Sequence, residues 1–523
     1  MLTDYRFNQS AINFPSLVKY VTKNGKTTVY ACNAAKNRKE SSKIKSNDES
    51  VRVVNCVKRM IGLSWKEFEE LEDHSIFGNC DVFEKNGLPY FKISPDDNEG
   101  KSGVEVASEI FKVIKEVADV RLEYKGDLDC YVTVPANYKE NQRDAIIEAA
   151  AMAGLTVQAI FTEPTAAAMS WCHEESNRKR LQKDKKMLVF DFGGGTLDLS
   201  VIRYEGDNIF NVLTTGGNPR LGGEDVNALV SNYITCTYGD KIPSKYRKGG
   251  KKYHEFLTKC EEAKIDLSND NCSNIDFDDD DDFDDDITLD ITLETLNNEI
   301  NVYMKEKIKN CISNLLNQTI SGCYLSPSVI SHVFMVGGSS QLRGIHQIIK
   351  DIFPDSTEIH VNDINPISCV AIGALHQAND LRNGFGSCKF KECINFSYGL
   401  MNSNGEDVAI LLHKNQSIPH TGPEIGFQTS IDNPEYIESK VYQFDKSYSE
   451  ANKKGDVIVA PVSEGKLVRN YKFKNPNQKP KGEQRFIIYS SIAYGGTLTI
   501  VCKDEKSGEE LHSEKYTNLV HRE

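Results

Sequence analysis

The chain has 523 residues, 39% hydrophobic and 26% charged, with a formal charge of −14. That is the composition of an ordinary globular protein, with length for roughly three or four domains. It carries no basic patch for nucleic acid, no apolar run of roughly 18 residues for a membrane span, and no basic-then-apolar secretory start.

Nine aspartates lie between Asp276 and Asp286, and such a run reads as a solvated surface insertion. The fourteen cysteines include no Cys-x-x-Cys pair. Most sit among apolar neighbours, which argues against a zinc ribbon and for a reducing, cytoplasmic setting.

In chain order, Asn24-Gly25 between two β-rich segments predicts a hairpin. Ser102 and Glu105 form a capping box, and Val104, Ala107, Phe111, Ile114 and Ala118 keep helical spacing after it. A short strand is expected from Asp129 to Val134, then a helix from about Asn141, as N-cap, to Ala153, stopped by Gly154. Met187 to Phe192 and Leu197 to Tyr204 read as two strands joined by Gly193-Gly194-Gly195-Thr196. Helices follow from Glu224, up to Lys264, and as one element from Leu293 to Ile320. His332 to Val336 reads as a buried strand ending in Gly337-Gly338, with a helix from Gln341 to Ile352. Alternating strands and helices indicate an α/β architecture. Beyond about Phe385 short strands alternate with turn clusters, which predicts an all-β sandwich.

Two glycine clusters draw attention. Gly193 to Gly195 with Thr196, and Gly337-Gly338-Ser339 before a helix, could offer backbone N–H groups to phosphate oxygens. A lone glycine cluster is as readily a tight turn that needs positive φ. Asp191 before the first cluster and Asp198 after it add carboxylates suited to a magnesium hydration shell. The P-loop is absent, since Gly100-Lys101-Ser102 has Pro95 where its first glycine should stand. No Gly-x-Ser-x-Gly or His-Glu-x-x-His occurs.

Four stretches together resemble one family. They are Val57-Lys58-Arg59-Met60-Ile61-Gly62, Phe161-Thr162-Glu163-Pro164-Thr165-Ala166-Ala167-Ala168, Asp191-Phe192-Gly193-Gly194-Gly195-Thr196-Leu197-Asp198 and Val336-Gly337-Gly338-Ser339-Ser340. A fifth, Leu412 to Pro419, resembles the opening of that family's peptide-binding β-sandwich. The family is the heat-shock protein 70 chaperones. The resemblance implies an α/β actin-like ATPase domain, two-lobed and N-terminally incomplete, over residues 1–385. A linker at 386–395 and an all-β peptide-binding sandwich at 396–523 would follow. It implies an ATP-dependent chaperone that binds and hydrolyses ATP, with ADP and Mg2+ as further ligands, and that cycles poorly. The alternative is a pseudo-ATPase that holds peptide or regulates without hydrolysis. Unfolded or extended polypeptides, a J-domain co-chaperone and a nucleotide exchange factor are the implied partners.

Residue by residue, the resemblance gives Lys58 the placing of the attacking water near the γ-phosphate. Glu163 and Asp191 would order magnesium-bound waters. Gly193, Gly194, Gly195 and Thr196 would wrap the phosphates. Glu261, Lys264 and Ser268 match ribose and adenine contacts, and Gly337, Gly338 and Ser339 the other side of the nucleoside. The chain departs from the family in several places. The first phosphate loop, Asp-x-Gly-Thr-Thr, has no counterpart, and neither does the helical lid. Ile265 and Gln341 stand where two adenine-stacking arginines are expected, and Ile367 stands for an acidic residue. The linker, Lys389-Phe390-Lys391-Glu392-Cys393-Ile394, is basic where the family is leucine-rich and acidic.

Overall fold

A computed structural model describes residues 13–36, 49–71, 74–94, 96–248, 250, 252–277, 287–317, 319–320, 323–384, 388–492 and 498–516. Most of the aspartate run, 278–286, lies outside the described residues, as do 385–387 at the start of the expected linker.

The first hairpin forms as expected. Val18–Lys23 pairs antiparallel with Lys26–Ala31 around Asn24-Gly25, both in the left-handed region, and with Glu49–Val54 on its other side. The helix Gly103–Leu122 packs its apolar stripe beneath this sheet, and Val106 joins Tyr20, Phe77 and Phe91 in one core. Its start is the predicted capping box: Glu105 N–H donates to Ser102 Oγ at 3.2 Å and Ser102 N–H to Glu105 Oε2 at 2.9 Å. The next helix spans Glu140–Met152, so Asn141 lies within its first turn rather than capping it. Asn141 instead donates its amide to the Gly62 carbonyl, tying the helix to the turn that carries Lys58.

A six-stranded sheet forms the centre of the α/β part. Its order is Glu358–Val361, Ile330–Val336, Lys186–Phe192, Leu197–Gly206, Ile209–Asn218 and Lys389–Lys391. The glycine hairpin joins its two middle strands, which run antiparallel, with Asp191 directly opposite Asp198. Side chains alternate across this sheet, as a pleated strand requires. Leu188, Phe190 and Phe192 enter one core with the helices Gly223–Tyr238 and Tyr253–Asp266. Met187 and Val189 enter another with the helix Glu163–His173. Asp191 continues that second row, which is why it ends near Glu163.

The single helix expected from Leu293 to Ile320 is two, Leu293–Tyr303 and Lys305–Leu316, and Thr319–Ile320 is a short strand. The departure is confined to Met304, at φ −112°. Its N–H still donates to Ile300 and its carbonyl accepts from Ile308, so the apolar stripe Ile300, Ile308, Ile312 continues through the break. That continuous stripe is what the sequence pattern registered.

The C-terminal part is a β-sandwich. One sheet runs Lys453–Lys454, Val457–Pro461, Asp407–Leu412, Ser397–Met401, Tyr436–Phe444 and Lys466–Lys474. The other is built on Arg485–Ile492, Leu498–Asp504 and Glu510–Tyr516. Leu400, Leu411 and Tyr471 of the first face Phe486, Ile500 and Cys502 of the second across a shared core.

The segment between the two parts is held along its length. Lys389–Lys391 adds a parallel strand to the central sheet, and Phe390 stacks on Phe210 at 4.8 Å. Lys391 Nζ reaches Glu205 Oε2 at 2.7 Å. Glu392 accepts from Thr165 Oγ1 at 3.2 Å and Gln377 Nε2 at 3.3 Å. Across the same seam Tyr398 Oη donates to Glu140 Oε1 at 2.6 Å and Arg469 pairs with Asp144 at 2.7 Å. A cavity of about 360 Å³ remains inside it, lined by Glu140, Arg143, Phe390, Glu392 and Tyr398 among others.

A candidate nucleotide cleft around the glycine hairpin

Lys58 sits in the 3-10 turn Val57–Arg59, which Tyr138 Oη pins by donating to the Lys58 carbonyl at 2.5 Å. Its Nζ donates to both oxygens of Glu163, at 2.7 and 2.9 Å. Glu163 opens its helix, with Pro164 pre-set for the first turn. Asp191 and Asp198 complete a group of three carboxylates around one ammonium. Asp198 Oδ1 accepts from Ala136 N–H at 2.9 Å, while its buried Oδ2 has no hydrogen-bond partner among the described residues.

The charges of this group show in its titration. Burial pushes the Asp191 carboxyl well above the usual carboxylate range, and the Glu163 and Asp198 charges add to it. Asp198 is pushed up to about 7, again by burial first and Glu163 second. Burial works against the Lys58 ammonium, but the Glu163 carboxylate beside it outweighs that, and its pKa rises. Fully ionised, the cluster would hold more negative charge than one lysine balances. A divalent cation with oxygen preference is the natural complement.

The hairpin tip above these carboxylates has an unusual property. None of Gly193, Gly194 and Gly195 lies in the left-handed region. A Cβ built on Gly193 or Gly195 would come no closer than 3.8 Å to its surroundings, and one on Gly194 would meet nothing within 4 Å. The turn therefore does not need three glycines for its own backbone. Gly193 N–H closes the turn onto the Thr196 carbonyl at 3.1 Å, and among the described residues no protein acceptor takes the N–H of Gly194 or Gly195. Thr196 is buried beside Asp198 and works against the rise of that carboxyl's pKa.

Support for the tip comes from residues the sequence reading missed. Gly223 N–H donates to the Gly193 carbonyl at 2.9 Å and Glu224 N–H to that of Gly194 at 2.8 Å. Gly222 must be glycine, because a Cβ there would lie 2.5 Å from the Gly194 oxygen. Arg59 crosses the cleft: Nε donates to the Gly195 carbonyl at 2.7 Å and Nη2 to Asp225 Oδ2 at 2.5 Å. Gly222-Gly223 ahead of an acidic helix start was the available signal.

A cavity of about 1230 Å³ opens in front of the tip, and Lys58, Gly194, Gly195 and Glu261 line it together with Arg59 and Glu224. Lys264 is buried and donates to the Gly223 carbonyl at 3.4 Å. Ser339 stands on the other side of Gly223, whose missing Cβ would fall 2.1 Å from Ser339 Oγ and 3.3 Å from Lys264 Nζ. Gly337, at φ 83°, backs onto Asp191, and Gly338 faces open space. Ser268 lies past the end of the Tyr253–Asp266 helix, its carbonyl taken by Arg343 Nε at 3.2 Å, and does not line the cavity. Ile265 is half exposed, and Gln341 donates to Ser340 Oγ at 3.2 Å.

A model of the family described as "Hsp70 protein" matches residues 8–513.

This chain belongs to the Hsp70 family.

Among curated proteins it is similar to the "Iron-sulfur cluster biogenesis chaperone, mitochondrial" of Saccharomyces cerevisiae, 27% identical over 467 residues. That match covers 87% of this chain and 65% of the yeast protein. It is also similar to "Chaperone protein dnaK" of Thalassiosira pseudonana, 26% identical over 473 residues, 87% of this chain and 70% of that one. The chain thus spans about two-thirds of the length of these relatives. Hsp70 membership carries an actin-like ATPase fold followed by a β-sandwich, with which the mixed central sheet and the C-terminal sandwich agree. No helix among the described residues is long and apolar enough to cross a membrane.

Proposed function

We propose that this Hsp70 protein binds ATP and ADP with Mg2+ in the cleft around Gly193–Thr196, hydrolyses ATP slowly, and holds extended polypeptide in its C-terminal sandwich. The observation that carries the reading is the tip itself: three glycines whose Cβ positions the fold leaves empty, two unclaimed N–H groups, and three carboxylates with one lysine below. Backbone N–H groups without side chains in front of them let phosphate oxygens approach closely.

In this reading Asp191, Glu163 and Asp198 hold the hydrated magnesium ion, which supplies charge neutralisation of the phosphates. Gly194 and Gly195 N–H hold the phosphate oxygens, and Lys58 keeps its ammonium beside the negative charge that develops during transfer. Arg59 fixes the tip from the opposite side of the cleft. Glu261, Lys264 and Ser339 border the nucleoside end, with Gly337 and Gly338 behind them and Ser268 at its margin. The division of labour follows residues 1–385 for nucleotide, 386–395 for coupling and 396–523 for peptide, which extended chains would meet by strand-like main-chain hydrogen bonds. A J-domain co-chaperone and a nucleotide exchange factor are the partners such a cycle uses.

A second reading, nucleotide binding without turnover, is favoured by Ile265 and Gln341, which supply no cation to stack on adenine. Steady-state phosphate release separates the two. Turnover by the wild type that Lys58→Met abolishes supports the ATPase; equal release from both proteins leaves the binding module.

A further inference from the structure

We propose a second, independent metal site at the far edge of the central sheet, where His332, Glu358 and His360 hold a borderline divalent ion such as Zn2+. Neither histidine belongs to the nucleotide cleft. His332 lies on the strand Ile330–Val336, and Glu358 and His360 lie on the parallel edge strand Glu358–Val361. The register sets His332 beside Glu358, and Glu358 and His360, two apart, share a face. Three ligating side chains therefore meet although 28 residues separate the first from the last.

The distances fit a metal. His332 Nδ1 and His360 Nε2 are 3.1 Å apart, and Glu358 Oε2 lies 3.7 Å from the first and 3.8 Å from the second. The point equidistant from these three atoms, the circumcentre of their triangle, is about 2.1 Å from each, the length of Zn–N and Zn–O bonds. Two imidazoles and one carboxylate are the donors of three-ligand zinc sites that keep a fourth position for water.

The surroundings are built in the same sense. Both histidines are buried and Glu358 is exposed, so the ligands are held while the ion has an entry route. Asp363 Oδ2 accepts from His360 Nδ1 at 2.8 Å, which turns the Nε2 lone pair toward His332 and Glu358. Asp363 is itself fixed by Trp171 Nε1 at 3.3 Å and Arg180 Nη1 at 2.9 Å. Arg180 Nη2 donates to Glu358 Oε2 at 3.4 Å and, with His360 Nδ1 protonated toward Asp363, only lies beside that nitrogen at 3.3 Å. That guanidinium, half exposed, is the cation the metal displaces from Glu358.

The test uses the full chain and Co2+ or Zn2+ alone. Trp171 packs against His360 with centroids 5.4 Å apart and is one of only two tryptophans, so in a Trp65→Phe background it reports the site directly. Expected are one equivalent of Co2+ with visible d–d bands, quenching of Trp171 emission, and competition by Zn2+. Glu358→Gln, at an exposed position, and Asp363→Asn should each weaken binding about 10–100-fold. His360→Asn should abolish binding, and Arg180→Gln should tighten it. The proposal is overturned if Glu358→Gln binds as the wild type does, if Trp171 is not quenched, or if the spectrum shows only thiolate charge transfer to the exposed Cys236 or Cys272. In those cases the 3.1 Å histidine contact is a plain hydrogen bond.

Discussion

Two groups of carboxylic acids, one in the cleft and one in the seam, are built on opposite principles. In the cleft, Glu163, Asp191 and Asp198 crowd around one lysine, and among the described residues a buried Asp198 oxygen has no partner. In the seam, Glu140 and Glu392 lie apart. Each accepts from neutral donors, Tyr398 for the first and Thr165 and Gln377 for the second. Burial lifts Glu140 and Glu392 to about 7. Asp191 and Asp198 in the cleft are lifted too, so what separates the two places is crowding: the cleft acids press on one another around Lys58, and the seam acids do not. Like charges crowded beside one ammonium point to a ligand cation, whereas separated acids with hydrogen-bond partners make a packed contact.

Four perturbations break or sharpen this contrast. The largest effect belongs to Lys58→Met, which removes the ammonium held among Glu163, Asp191 and Asp198. ATP turnover should fall about 10²–10³-fold in a phosphate-release assay while nucleotide is still bound. Next is Arg59→Ala, which takes the guanidinium from Asp225, leaving it the Gly222 N–H, and the donor from the Gly195 carbonyl. Denaturant unfolding should show a loss of about 2–4 kcal/mol, below that of a wholly buried pair because Asp225 is a third exposed.

The seam responds to pH. The docked state keeps protons on Glu140 and Glu392 up to about pH 7, while the separated, solvated acids lose theirs above the ordinary carboxylate value. Docking is therefore strongest below the ordinary carboxylate value, weakens as pH rises from there to about 7 and is flat above it, the docking constant falling about 10²-fold for each acid. Energy transfer between dyes on the two parts should follow this curve, and Glu140→Gln with Glu392→Gln should flatten it.

The smallest effect is at Lys391. Lys391 and Arg203 hold the Glu205 carboxyl down at about 2, with Lys391 the stronger partner. This pair stabilises the docked strand above the ordinary glutamate pKa, and the gain fades as pH falls toward 2. Because the pair is partly exposed, Lys391→Ala should cost about 0.5–1 kcal/mol, read from hydrogen exchange in the strand Lys389–Lys391.

How much of this was legible in the sequence depends on the range of the contact. The glycine hairpin was, because its two strands are contiguous apolar runs either side of the glycines, and the capping box at Ser102 was equally local. The meeting of Lys58, Glu163 and Asp191, far apart in sequence, came through resemblance to a family and not through periodicity. The Arg59–Asp225 bridge and the packing of Gly222 against Gly194 were not legible, since they depend on how one helix start docks against a distant turn. The histidine pair depends on the register of two parallel strands, which spacing alone does not fix. The basic linker looked unsuited to its place, yet Lys391 meets Glu205 and Phe390 meets Phe210 once the strand pairs.

The central claim is that the glycines at the tip leave room for a magnesium nucleotide rather than for the chain itself. Calorimetric titration with ATP, with and without Mg2+, on the wild type and on Gly194→Val tests it most directly. The account predicts magnesium-dependent binding to the wild type, and its loss in Gly194→Val at an unchanged melting temperature, because a Cβ there meets no protein atom within 4 Å. Equal binding by both proteins, or no binding by either, would contradict it.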